Sequence, residues 1–143
     1  MKVSTRGRYA IKVMIDLAEH DNGQFIPLSD IARRQEISEK YLEAIVSTLS
    51  KAGFLQSLRG KGGGYKLSHR PDEYSVREVL EATEGSLAPV PEEEMYSVGD
   101  EHVSTFRTAK MWKGLYDVIE DYLNSVSIRD LAGEDNGQYD FVI

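Results

Sequence analysis

Apolar residues recur at one-turn spacing from the start of the chain. Tyr9, Ala10, Val13, Met14, Leu17 and Ala18 make one stripe, which predicts a helix opening near Ser4 or Thr5, where a hydroxyl can cap the free N–H groups. Asp21-Asn22-Gly23 stops it. A second, short helix is predicted from Ser29, with Asp30 in its first turn and Ile31 and Ala32 facing inward, and it ends before Ile37. A third starts at Ser38, where Ile37 before the cap and Leu42 in the first turn can form a hydrophobic staple. Its inner face is Leu42, Ile45, Val46, Leu49 and Ala52, and Gly53 supplies the stop. Only residues 35–37 separate these two helices, the spacing of a helix-turn-helix. The pattern then changes to alternation: residues 54–58 and 65–68 read as two short strands around Arg59-Gly60-Lys61-Gly62-Gly63-Gly64. Four glycines in those six positions describe a projecting, flexible tip whose only long side chains are Arg59 and Lys61. A basic hairpin directly after a helix-turn-helix is a wing. A phosphate-cradling glycine loop would need a helix after it, and here a strand follows.

Beyond Arg70-Pro71, Ser75-Val76-Arg77-Glu78 has the form of a capping box, for a helix running through Val79, Leu80 and Thr83 to Gly85. Residues 86–102 lack periodicity and contain Pro89, Pro91 and Glu92-Glu93-Glu94, which predicts a mobile acidic loop. A long helix is predicted over 103–126, with Phe106, Ala109, Trp112, Leu115, Tyr116, Ile119, Leu123 and Val126 along one side. Ser127-Ile128-Arg129-Asp130 opens a further short helix ending at Gly133, and the polar residues from Glu134 give way to Phe141-Val142-Ile143. The fold class expected is mainly α with a small β-hairpin. Residues 1–85 form a winged helix-turn-helix domain, 86–102 an acidic loop, 103–133 dimerisation helices and 134–143 a tail.

The composition narrows the function. At 143 residues and 41% hydrophobic content the chain can bury a core without disulfides or a structural metal. The absence of Cys excludes a thiol nucleophile, Cys-ligated zinc and a cysteine-held iron–sulfur cluster. His20, His69 and His102 are scattered singly, and no G-x-S-x-G or H-E-x-x-H occurs, so neither a metal site nor an enzyme is expected. No run of apolar residues is long enough to span a bilayer, and a cytoplasmic protein is expected. The net charge of -7 hides a division. Residues 1–70 hold 12 Lys+Arg and 7 Asp+Glu, whereas residues 71–143 hold 5 and 17. A basic half suited to a polyanion is joined to an acidic half with another task.

Three segments, Lys2-Val3-Ser4-Thr5-Arg6-Gly7-Arg8-Tyr9-Ala10, Ser38-Glu39-Lys40-Tyr41-Leu42-Glu43 and Arg59-Gly60-Lys61-Gly62-Gly63-Gly64-Tyr65, resemble the signatures of the Rrf-two family of bacterial transcriptional regulators. The resemblance implies a homodimer that binds palindromic operators in double-stranded DNA and pairs through its long helix. Many members hold an iron–sulfur cluster on three Cys before that helix. Here that loop offers Ser86, Ser97, Ser104, His102 and Glu92 to Glu94, so no cofactor is expected. A recognition helix enters the major groove N-terminus first, which directs Ser38, Glu39, Lys40 and Glu43 to base edges and Tyr41 to flanking phosphates. Glu43 can accept from a cytosine amino group, the role the resemblance implies, or be an exposed residue pairing with Lys40 or Ser47. Lys2, Thr5, Arg6, Arg8 and Lys12 would hold phosphates. Arg59 suits a narrow minor groove, with Lys61 beside it on the wing.

The acidic half is then assigned dimerisation, through a seam of Phe106, Trp112, Leu115, Ile119 and Leu123, although these residues can instead bury against their own winged domain. The end, Phe141, Val142 and Ile143, is similar to the tail by which serine acetyltransferases insert a terminal Ile into cysteine synthase (O-acetylserine sulfhydrylase), and the cysteine-metabolism branch of the family partners with that same enzyme. A packed terminus is the alternative. The function expected is a sequence-specific repressor, of cysteine or sulfur genes by this resemblance. The alternative is a winged-helix interaction module that binds a partner enzyme through its tail without regulating DNA.

Overall fold

A computed structural model describes residues 2–96 and 104–133. In chain order the elements are α1 (Thr5–Glu19), α2 (Leu28–Gln35), α3 (Glu39–Lys51), β1 (Leu55–Leu58), β2 (Gly64–Leu67), a 3-10 turn (Pro71–Glu73), α4 (Val76–Glu84), α5 (Glu92–Met95), α6 (Ser104–Ser125) and α7 (Ile128–Leu131). Capping follows the sequence at four starts: the hydroxyls of Ser4, Ser38, Ser75 and Ser127 accept from the N–H groups of Gly7, Tyr41, Glu78 and Asp130. The Ser75 box is closed differently from the expected form, because its hydroxyl also donates to Glu78 Oε1, at 3.3 Å. α2 begins one residue earlier than expected. Its cap is Pro27, whose extended backbone leads directly into Leu28, and no side chain caps it.

The core forms where the apolar stripes of α1, α2 and α3 meet. Ala10, Val13, Met14, Ile31, Leu42, Ile45, Val46 and Leu49 are fully buried there. Ala52, expected on the inner face of α3, is exposed because the helix ends before it. One charged group lies inside: the Asp16 carboxylate accepts from Arg34 Nε at 3.0 Å, from the Arg34 terminal nitrogen at 2.7 Å and from Gln35 Nε2 at 3.0 Å. This fork fixes α2 on α1 and so sets the angle at which the helix-turn-helix is presented. The hydrogen bond to Asp16 raises the Arg34 pKa further above its ordinary value.

The wing is an antiparallel pair with Leu55 opposite Leu67 and Leu58 opposite Gly64. Ile26 adds a third edge, exchanging backbone hydrogen bonds with Tyr65 at 2.8 Å in each direction. Gly64 is required there. Its φ is +149°, and a Cβ would lie 2.1 Å from the Ile26 carbonyl oxygen. At the tip, Gly63 N–H donates to Gly60 O at 3.0 Å, so the loop is closed by its own backbone.

The second half returns to this core. Val76 N–H donates to Val126 O and Ile128 N–H to Tyr74 O, at 2.8 and 2.9 Å, and the Ile128 side chain is fully buried among the winged-helix residues. The region read as a mobile loop is partly built: Leu87 is buried against Val76 and Leu80, and Glu92–Met95 forms a helical turn with Met95 buried. Residues 97–102 of that loop lie outside the described residues, as do Val103 and the tail with Phe141, Val142 and Ile143.

Candidate nucleic-acid interface

The inward residues of α3 leave a polar outer face. Ser38, Glu39, Lys40, Glu43, Ala44 and Ser47 are exposed, while Leu42, Ile45, Val46 and Leu49 anchor the helix from beneath. Ser38 caps the helix and its first turn is open to solvent, with Glu39 and Lys40 on that turn and Glu43 about one turn further on. An open groove joins this face to the wing, lined by Glu39, Glu43, Ser47, Lys51 and Arg59 and by Ser29 at the start of α2. The recognition face and the basic hairpin are therefore neighbours. Arg59 and Lys61 are both exposed at the tip.

The start of α1 is brought to the same end of the molecule by aromatic packing. Tyr9 and Tyr41 meet edge to face with centroids 5.9 Å apart, and Lys12 Nζ stands 5.0 Å over the Tyr9 ring. Tyr41 is thus half-buried against α1 rather than projecting freely from α3. Lys2, Thr5, Arg6 and Arg8 are exposed, and the Arg8 guanidinium donates to Val3 O at 2.9 Å and to Thr5 Oγ1 at 3.1 Å. A cationic group ordered on its own helix turn loses less side-chain entropy when it meets a phosphate. The sequence reading did not single out Ser29, Ser47 or Lys51. Their only signal was position: Ser47 and Lys51 continue the outer face of α3 at four-residue steps from Glu43.

The long helix divides its apolar residues between two directions. Tyr116, Leu123 and Val126 pack beside Val76, Leu80 and Leu87 of the same chain, and Arg77 bridges Glu81 on its own helix and Glu120 on α6. Met111, Leu115, Val118 and Tyr122 instead face solvent, at 54, 43, 65 and 66% exposure. Steps of four, three and four residues put them on one line along the helix. Of the residues read from sequence as the seam, Leu115 lies on this line, Leu123 packs inward, and Phe106, Trp112 and Ile119 are half-buried. Met111, Val118 and Tyr122 were missed, because the periodicity shows a stripe without showing which part of it the same chain covers.

The model for the family described as "Rrf2: Iron-dependent Transcriptional regulator" matches residues 3–134. The chain belongs to the Rrf2 family. It is 36% identical over 138 residues to the HTH-type transcriptional regulator IscR of Aliivibrio salmonicida, spanning 96% of this chain and 81% of that protein. It is 35% identical over 138 residues to the HTH-type transcriptional regulator CymR of Bacillus subtilis, spanning 96% and 94%. Among solved structures, that of CymR, the global cysteine regulator of B. subtilis, superposes with a TM-score of 0.75 at 34% identity, over 92% of this chain and 96% of the other. The T. potens IscR structure gives 0.72 at 34% identity, over 92% and 85%. The fold is therefore the winged helix of these regulators, and this Rrf2 protein is a DNA-binding transcriptional regulator rather than an enzyme.

The family description names iron; the sequence contains no Cys with which to hold an iron–sulfur cluster, and among the described residues no group of three His, Asp or Glu side chains is placed to hold a metal ion. No helix among them is long and apolar enough to cross a membrane.

Proposed function

We propose that this Rrf2 protein is a cytoplasmic repressor that binds a palindromic operator as a homodimer, with the recognition turn of each protomer in a major groove and its wing in the adjacent minor groove. The supporting observation is the shared groove between the exposed face of α3 and Arg59 of the wing. In this reading Ser38, Glu39, Lys40 and Glu43 meet base edges, Tyr41 the flanking phosphates, and Lys2, Thr5, Arg6, Arg8 and Lys61 the backbone. Glu43, exposed and without a cation at ion-pair distance among the described contacts, is assigned to a cytosine amino group. The line Met111, Leu115, Val118 and Tyr122 is assigned to the partner protomer, since isolated apolar side chains are common on a surface but a continuous line of them is not.

The similarity to CymR supports cysteine or sulfur genes as the target. The resemblance of Phe141, Val142 and Ile143 to the tail of serine acetyltransferases is the ground for assigning them to a cysteine synthase, whose amino-acid carboxylate site is chemically suited to a terminal carboxylate. Footprinting of genomic fragments from the native host tests the operator: protected sites with two-fold symmetry are expected, and protection without sequence preference overturns the reading. Calorimetric titration of a synthetic peptide of residues 138–143 into the host cysteine synthase tests the tail. Binding that disappears when Ile143 is omitted is expected, and equal heats from both peptides return the tail to a packed terminus.

A further inference from the structure

The first turn of α1 contains no acidic residue. A helix start normally favours a negative charge, yet an acidic side chain on this turn would stand among Lys2, Arg6 and Arg8, which the proposed function gives to phosphates. The carboxylate comes from elsewhere in the fold. Glu84, the last residue of α4, accepts through Oε1 from Ser4 N–H at 3.2 Å and from the Ser4 hydroxyl. The same hydroxyl accepts from Gly7 N–H at 3.0 Å, so one carboxylate oxygen and one serine oxygen together take two of the free N–H groups at the opening of the helix. Gly7 makes room for this. A Cβ there would lie 2.2 Å from Glu84 Oε1, closer than any side chain can stand. From the outer side, Arg8 ties Val3 and Thr5 over the same turn.

We propose that Glu84 is a positioning residue for DNA binding: from α4 it fixes the start of α1 in the orientation that presents Thr5, Arg6 and Arg8 to the phosphate backbone. This rests on the DNA-binding reading of the α1 start and goes beyond it, because Glu84 touches no DNA. α4 also packs on α6, so the contact joins the half that carries the exposed apolar line to the half that carries the basic surface. The sign of the effect separates positioning from plain electrostatics. Removing a negative charge beside a phosphate-binding surface strengthens binding when charge alone acts, whereas losing a positioning contact weakens it.

The test measures the affinity of the full chain for a random-sequence DNA duplex across a salt series, with circular-dichroism melts to hold all variants well below unfolding. Glu84→Ala is expected to weaken binding roughly fivefold, the scale of a lost helix cap, and to flatten the salt slope by about 0.9, the equivalent of one phosphate contact. Glu84→Gln keeps an acceptor for Ser4 and is expected to bind at least as well as the wild type. Gly7→Ala, which displaces the carboxylate without removing it, should reproduce the loss and add nothing to Glu84→Ala. Glu84→Ala binding as tightly as the wild type, or Glu84→Gln falling as far as the alanine variant, overturns the proposal. Arg8→Ala distinguishes the two failures: if it weakens binding while Glu84→Ala does not, only the positioning role is lost. If neither variant changes affinity or slope, the α1 start does not meet DNA and the reading beneath the proposal fails with it.

Discussion

The two ends of this molecule solve burial in opposite ways. The three helices of the winged unit enclose a core of fully buried Ala, Val, Met, Ile and Leu and turn a charged, polar surface outward. The long helix α6 runs for 22 residues and buries only Ala109 completely, while Met111, Leu115, Val118 and Tyr122 remain in water. The first unit closes its core within one chain. The second leaves an apolar line uncovered, which the proposed function gives to a second copy. On the proposed reading the contrast accounts for the separation of charge and apolar surface along the sequence: a surface for a polyanion stays solvated and cationic, whereas a surface for a second copy is apolar at its centre.

The sharpest way to break that comparison is to charge the line on α6. Val118→Glu with Tyr122→Glu is expected to give a monomer by light scattering and to lower operator affinity by roughly a hundredfold, because the second half-site no longer binds as part of the same complex. The winged core should still fold, since these side chains contribute nothing to it. A dimer that survives the pair of glutamates would place the interface elsewhere. Ile119→Glu, on the half-buried flank, should act less strongly than Val118→Glu and so define the centre of the line.

Legibility differed between the two halves for the same reason. In the winged unit each apolar stripe has a single destination, so periodicity identified Leu42, Ile45, Val46 and Leu49 correctly, and serine hydroxyls marked the starts of α3 and α4 to the residue and that of α1 to within one. α6 has two destinations, and a one-dimensional pattern cannot divide Leu115 from Leu123. The return of Ile128 to the core was also invisible, because it depends on the Ser75 and Ser127 backbones pairing across some fifty intervening residues. Between residues 86 and 96 the prolines and glutamates suggested a mobile loop, although Leu87 and Met95 had the apolar character that buries them. At the candidate interface the sequence supplied residue types but not their mutual contacts: Arg8 bonding Thr5, and Tyr41 held by Tyr9, are contacts of geometry.

The complete unit can be broken from within at its one buried charge. Arg34→Ala leaves the Asp16 carboxylate, 1% exposed, with Gln35 as its remaining side-chain amide donor, and is expected to cost about 3 kcal/mol. A urea titration checks this by a lower midpoint at unchanged slope. Because α2 is held at a fixed angle by this fork, operator affinity should fall as well, even where the protein is fully folded. A loss under about 1 kcal/mol would mean that apolar packing alone sets the angle.

Two interface substitutions sharpen the contrast between positioning and reading. Glu43→Ala should relax discrimination at one base pair by about 1 to 3 kcal/mol and leave non-specific affinity nearly unchanged or improved. Arg59→Ala should weaken binding to all sequences and reduce the salt slope by about 0.9. Anisotropy titrations against single-base operator variants over a salt series measure both. Identical behaviour of the two variants would return Glu43 to an ordinary solvated residue.

The smallest effect lies in the turn between α2 and α3. Glu36 has φ 55° and ψ 44°, the sole described residue other than glycine with positive φ, and its N–H closes the end of α2 on Ala32 and Arg33. A side chain in this left-handed region costs about 1 kcal/mol, part of which a glycine recovers and part of which it returns as unfolded-state entropy. Glu36→Gly is therefore expected to raise stability by about 0.5 kcal/mol, and Glu36→Val to lower it by about 1 kcal/mol, since a β-branched side chain fits the region worst. Neither shift should depend on protein concentration, because the turn belongs to the unit whose core one chain completes. The glutamates placed on α6 should behave otherwise: the wild-type midpoint rises with concentration, as mass action requires of a dimer, and theirs does not. A concentration-dependent effect of Glu36→Gly would show that the helix-turn-helix and the long helix unfold as one body, and that the division between a complete unit and a half is thermodynamically false.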